Sequence, residues 1–74
     1  MDEDLVSCVV SVPPIELGTV IGVLSRHGAW VDGLEPQPDV CAVKARIPRG
    51  ELAAFRKWLS ETIAPAKFEV ADEA

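Results

Sequence analysis

A chain of 74 residues, 49% of them apolar and carrying a formal charge of −5, has room for one domain with one compact core. No stretch approaches the ~20 apolar residues that a membrane-spanning helix needs. Two cysteines with no Cys-x-x-Cys spacing and a single histidine exclude a zinc set of the usual kinds. The negative charge sits mostly at the ends: Asp2, Glu3, Asp4, Asp72 and Glu73 account for five of the 12 acids, and the remaining seven face seven Lys and Arg. A near-neutral body with acidic fringes does not supply the basic patch that nonspecific phosphate-backbone binding requires, so neither DNA nor a membrane surface is an expected partner. The acidic opening Met1-Asp2-Glu3-Asp4 is the opposite of a secretory signal and predicts a cytoplasmic protein.

Leu5 to Val12 reads as a first strand, with Val6, Cys8, Val10 and Val12 on one face and Ser7, Val9 and Ser11 on the other. Pro13-Pro14 ends it, since proline cannot donate to a sheet ladder, and Pro14 suits the first position of a helix. The helix runs from Ile15 to His27, with Leu17, Val20, Ile21 and Leu24 along one stripe. Gly28 then suits a left-handed cap. Gly18 and Gly22 inside this helix each cost ~1 kcal/mol relative to alanine, which predicts a close backbone approach, against the sheet or against a partner.

Ala29 to Glu35 reads as a second strand. Val31 and Leu34 cannot both face inward at strict period two, so a bulge at Gly33 is expected to return Leu34 to the core. Pro36-Gln37-Pro38-Asp39 is a turn. Val40 to Ile47 reads as a third strand, with Cys41, Val43, Ala45 and Ile47 opposite Lys44 and Arg46 in facing. Glu51 to about Ile63 reads as a second helix with Leu52, Phe55 and Leu59 inward, and Trp58 flanks that stripe. Pro65 stops it. Ala66 to Val70 is a last strand with Phe68 and Val70 inward.

The order β-α-β-β-α-β has one economical solution under right-handed crossovers: an α+β, ferredoxin-like split β-α-β fold, with both helices on one face of a four-stranded antiparallel sheet. The ordered core is expected from about residue 5 to 70. In this arrangement the first and third strands are central and antiparallel, which places Cys41 nearer Val10 or Ser11 than Cys8. Both cysteines then read as buried, reduced, small hydrophobes.

The candidate functional residues are few. His27 ends the first helix beside Arg26, as a helix-end cation or as a ligand contact. Glu51 opens the second helix, where an acid is favoured. Arg46, Arg49, Arg56 and Lys57 read as a loose basic sector around the start and outer side of the second helix, able to meet RNA phosphates or an acidic protein surface. No nucleophile–base pair or paired carboxylates stand out, so no catalytic residue, metal site or cofactor is expected. The outer sheet face, with Val9 and Ala42 at its centre and Ser11 and Lys44 around them, is the candidate interface for another domain or a second copy.

The run Pro13-Pro14-Ile15-Glu16-Leu17-Gly18-Thr19-Val20-Ile21-Gly22-Val23-Leu24, followed by Arg26, resembles the C-terminal domain of elongation factor G, which shows a proline, then Leu-Gly-x-Val-Ile-Gly-x-Leu, then an arginine-rich turn with glycine. Gly33 and Glu35 match its Gly-x-Glu, Ala45-x-Ile47-Pro48-x-x-Glu51 its Ala-x-Val-Pro-x-x-Glu, and Phe55 and Leu59 the aromatic and leucine that follow. The resemblance runs from about Leu5 to Val70. Two departures stand out: Arg26-His27-Gly28-Ala29 is less basic than the family's turn, and Thr62-Ile63-Ala64-Pro65 lacks the glycine and arginine of its Thr-x-Gly-Arg. No phosphate loop of the Gly-x-x-x-x-Gly-Lys-Ser/Thr kind occurs, so GTP hydrolysis is not expected. The resemblance implies a noncatalytic module that contacts the ribosome or a translational GTPase, with protein as the expected partner and ribosomal RNA touched at a few basic residues; the open sheet face adds self-association as a homodimer as a further expectation. The alternative is an ACT-like regulatory domain, echoed by Ser11-Val12-Pro13-Pro14 and Arg26-His27-Gly28-Ala29, which would bind an amino acid as a dimer.

Overall fold

The computed structural model describes residues 4–70. The expectations attached to Asp2, Glu3, Asp72 and Glu73 lie outside the described residues. The elements are β1 (Leu5–Val12), a 3-10 turn (Pro14–Glu16) leading into α1 (Leu17–Arg26), β2 (Trp30–Pro36), β3 (Cys41–Pro48), a second 3-10 turn (Arg49–Glu51) leading into α2 (Leu52–Thr62), and β4 (Lys67–Val70). The sheet order is β2-β3-β1-β4 and every neighbouring pair is antiparallel. This is the expected split β-α-β fold.

β1 alternates without exception between buried and half-buried positions, with Val6, Cys8, Val10 and Val12 on the core side. Its register with β3 places Cys8 opposite Ala45, Val10 opposite Val43 and Val12 opposite Cys41, so the inward rows of the two central strands coincide. Cys41 therefore lies opposite Val12, one step further along than the sequence suggested, and both cysteines are free and buried. Val20 and Leu24 of α1 and Phe55 and Leu59 of α2 close over these rows in one cluster, with Ile63 just beyond α2. Both helices thus cover the same sheet face. Phe55 has no exposed surface and lies 5.7 Å from Trp58 and 5.9 Å from Phe68, ring centre to ring centre.

Helix boundaries follow the chemistry of their ends. Each helix is entered through a proline, Pro13 or Pro48, in extended backbone and then a 3-10 turn. At the end of α1, Gly28 adopts φ 75°, its N–H donates to the Ser25 carbonyl at 3.1 Å, and the Ala29 N–H donates to the Leu24 carbonyl at 2.9 Å. These two bonds form a Schellman cap, and the left-handed residue that it needs is a glycine.

Three expectations need correction. Gly18 and Gly22 are exposed and a Cβ on either would meet nothing within 4 Å, so among the described residues the approach expected against the sheet is not made. The bulge forms between Val31 and Gly33 and pairs Leu34 with inward Val43, yet Leu34 stays 46% exposed, because the helices cover the sheet centre and stop short of the β2 edge. Val70, on the last described position of the other edge, is 37% exposed rather than buried.

Candidate functional site

The sequence left His27 and Glu51 as separate helix-end residues, and the fold joins them. His27 follows the last turn of α1 and Glu51 precedes the first turn of α2, and the His27 Nδ1 lies 2.8 Å from Glu51 Oε1. The His27 ring also meets Phe55 edge-on, with centres 6.0 Å apart. In this topology the C-terminus of α1 lies beside the N-terminus of α2, where a cation and an anion respectively complement the helix dipoles. The pair therefore ties the two helices together at complementary ends. The two residues are 24 positions apart, and no spacing rule could have linked them. None of the principal surface hollows of the described residues is lined by either.

The basic sector does not assemble. Arg46 projects from β3 on the sheet face opposite the helices, because its neighbours Ala45 and Ile47 point into the core. There it is held by Asp32, with Nε 3.0 Å from one carboxylate oxygen and Nη2 2.9 Å from the other. Arg49 is turned to the N-terminal segment: its Nε donates to the Asp4 carboxylate at 3.1 Å and its backbone N–H to the Asp4 carbonyl at 2.8 Å. Arg56 and Lys57 are exposed on α2, and Arg26 is exposed on α1. What reads as one cluster along the chain is divided between two faces of the molecule.

The outer sheet face carries cross-strand rows. Trp30, Arg46 and Ser7 form one, Gly33, Lys44, Val9 and Glu69 the next, and Glu35, Ala42, Ser11 and Lys67 a third. Lys44 Nζ reaches Glu35 at 3.5 Å, and the bulge swings Asp32 over Arg46. Of the four proposed interface residues, Lys44 is exposed and Val9 and Ser11 are half-buried. Ala42 is 4% exposed, so its taller row neighbours and not its methyl form the surface.

Exposed apolar groups lie instead at the entry to α1 and on both faces of β2: Ile15 at 87% exposure, Trp30 at 63%, Leu34 at 46% and Val31 at 37%. A shallow hollow of about 390 Å³ lies between these elements, with Ile21 and Ser25 on its helix side, Gly28 and Ala29 at its base and Trp30 and Val31 on its strand side. The sequence reading placed Val31 and Leu34 on the core side. Neither periodicity nor composition shows how far a helix layer extends across a sheet.

Among the described residues, Cys8 makes the one buried polar side-chain contact, donating its thiol to the Ala45 carbonyl at 3.6 Å. Burial pushes its pKa up to about 11. A thiol held protonated in this way is not a nucleophile near neutrality.

No protein-family model and no curated protein matches this chain. Solved structures do match it. A protein from Thermus thermophilus superposes with TM-score 0.79 at 18% identity over 97% of this chain and 11% of its own. A hypothetical protein superposes with TM-score 0.78 at 13% identity over 95% of this chain and 34% of its own. The chain thus spans about a tenth and about a third of the length of these two proteins, and the likeness is one of fold.

Proposed function

We propose that this chain is a noncatalytic interaction domain of the elongation factor G C-terminal type, which docks on a translational GTPase or on the ribosome in the cytoplasm. The observation that carries the reading is modular: the whole fold recurs as about a tenth of one longer protein and about a third of another. That recurrence supports a part that works by attachment. The resemblance of Leu17-Gly18-Thr19-Val20-Ile21-Gly22 and of Ile47-Pro48-Arg49-Gly50-Glu51 to the family's motifs supplies the choice of partner.

The docking face in this reading is the outer sheet. Its Arg46–Asp32 and Lys44–Glu35 pairs present both signs of charge to a polar partner. Rim pairs of this kind set orientation and association rate more than affinity.

Cosedimentation of the purified chain with ribosomes, in parallel with affinity capture on isolated translational GTPases, tests this. Binding that Lys44→Glu and Arg46→Glu each weaken is the expected result. The absence of binding to either partner at low salt overturns the reading.

A further inference from the structure

We propose that the chain pairs with a second copy of itself through the outward face of α1, Ile15 of each copy seating at the hollow beside Ser25 and Trp30 of the other. The inference concerns the helix side of the molecule, shares only Trp30 with the docking surface proposed above, and does not rest on it.

Ile15 is 87% exposed, the most exposed large apolar side chain among the described residues. Ile15 lies in the 3-10 turn that leads into α1, three residues before Gly18, and Gly18, Gly22 and Ser25 continue from it as one stripe on the solvent side of the helix. At about 1.5 Å per residue the stripe is about 15 Å long. It is bulky at one end and small along the rest. Beyond its small end lies the hollow bounded by Ile21, Gly28, Trp30 and Val31.

A shape that projects at one end and recedes at the other is self-complementary under a two-fold axis. With α1 antiparallel to α1 of the second copy and the axis midway along the stripe, Ile15 falls opposite Ser25 of the other copy, and Gly18 opposite Gly22. The two glycines place no side chain between the helices, so the axes can come near the low end of the usual 8–10 Å, at about 8 Å. This accounts for two residues that weaken α1 without giving room to anything in their own chain.

The charges fit the same arrangement. Glu16 lies at the start of α1 and Arg26 in its last turn, and among the described residues neither has an ion-pair partner. Antiparallel pairing sets the basic end of each helix along the acidic end of the other and opposes the two helix dipoles. A parallel arrangement would set like ends together. The patch is modest beside the about 800 Å² per partner of a standard interface, on a chain whose whole surface is 4813 Å². Association is therefore of the reversible, concentration-dependent kind.

Sedimentation equilibrium of the full chain from micromolar to millimolar concentration tests the proposal. A monomer–dimer equilibrium is expected. Gly22→Gln, which the free helix accommodates, is expected to hold the chain monomeric while circular dichroism keeps its native form. Arg26→Glu is expected to weaken the dimer about tenfold and Glu16→Arg with Arg26→Glu together to restore it. A chain that stays monomeric throughout overturns the proposal, as does a dimer that Gly22→Gln leaves unchanged. In the second case a dimer sensitive to Lys44→Glu places the contact on the sheet instead.

Discussion

β1 and β2 are strands of similar length, but β1 has four β-branched residues in eight and β2 one in seven, and one is the core and the other its margin. Every second residue of β1 is buried, whereas in β2 only Gly33 is even half-buried. Composition is one part of the difference and neighbours are the other. β1 is hydrogen-bonded on both sides, to β3 and β4, and lies under both helices; β2 has a partner on one side only. Two helices of ten and eleven residues cover the middle of a four-stranded sheet and leave its edge to water. A residue's facing is thus set by its own strand, and its burial by what the rest of the fold places over it.

The sharpest way to break that contrast is at the centre. Phe55→Ala removes the ring on which His27, Trp58 and Phe68 converge and is expected to cost about 3–5 kcal/mol. For a domain of this size that approaches the whole stability, so urea titration should find the variant largely unfolded without denaturant.

Alkaline titration tests the same centre. Cys8 keeps its proton to about 11 in the folded state, whereas a solvated thiol loses it around 9.0. Between those values the unfolded chain binds fewer protons than the folded one, so stability falls as pH rises; the stability held below pH 9 declines by about 2–3 kcal/mol on reaching pH 11. Urea midpoints measured across that range should drop for the natural chain more than for Cys8→Ala.

Centre and margin can then be compared directly across one register pair. Val43, with no exposed surface, faces Leu34, 46% exposed. Val43→Ala is expected to cost about 2 kcal/mol and Leu34→Ala about 1 or less, although leucine is the larger residue. Equal losses would show that β2 is covered after all.

The glycines give a smaller pair of opposite sign. Gly28→Ala forces a side chain into φ 75° and should cost about 1–2 kcal/mol. Gly22→Ala, exposed with nothing near it, should add up to about 1 kcal/mol to the monomer. Thermal melts of both variants at low protein concentration check the signs. Smallest of all, Arg46→Met opens the pair with Asp32 and should change stability by under about 1 kcal/mol, since both groups are solvent-exposed.

Much of this fold was legible from period and punctuation. The alternation of Val6, Cys8, Val10 and Val12, the Pro13-Pro14 entry, the Gly28 cap and the Gly33 bulge are each consequences of local chemistry, and each lies where the sequence puts it. The site was less legible, for two physical reasons. Contacts between distant elements, such as His27 with Glu51, depend on how the helices lie together, which no short window encodes. Sequence neighbours such as Arg46 and Arg49 can also part, because a strand alternates faces and a turn does not. Gly18 and Gly22 suggested a close approach that their own chain does not make, and that mismatch is the strongest pointer to α1 as a contact surface.

Amide hydrogen exchange resolved by residue is the direct test of a secured centre and an open margin. The account predicts that β1 and β3 amides exchange only through global unfolding, and that β2 amides exchange faster, through local opening of the edge. Protection of β2 equal to that of β1, in dilute monomeric protein, would contradict it.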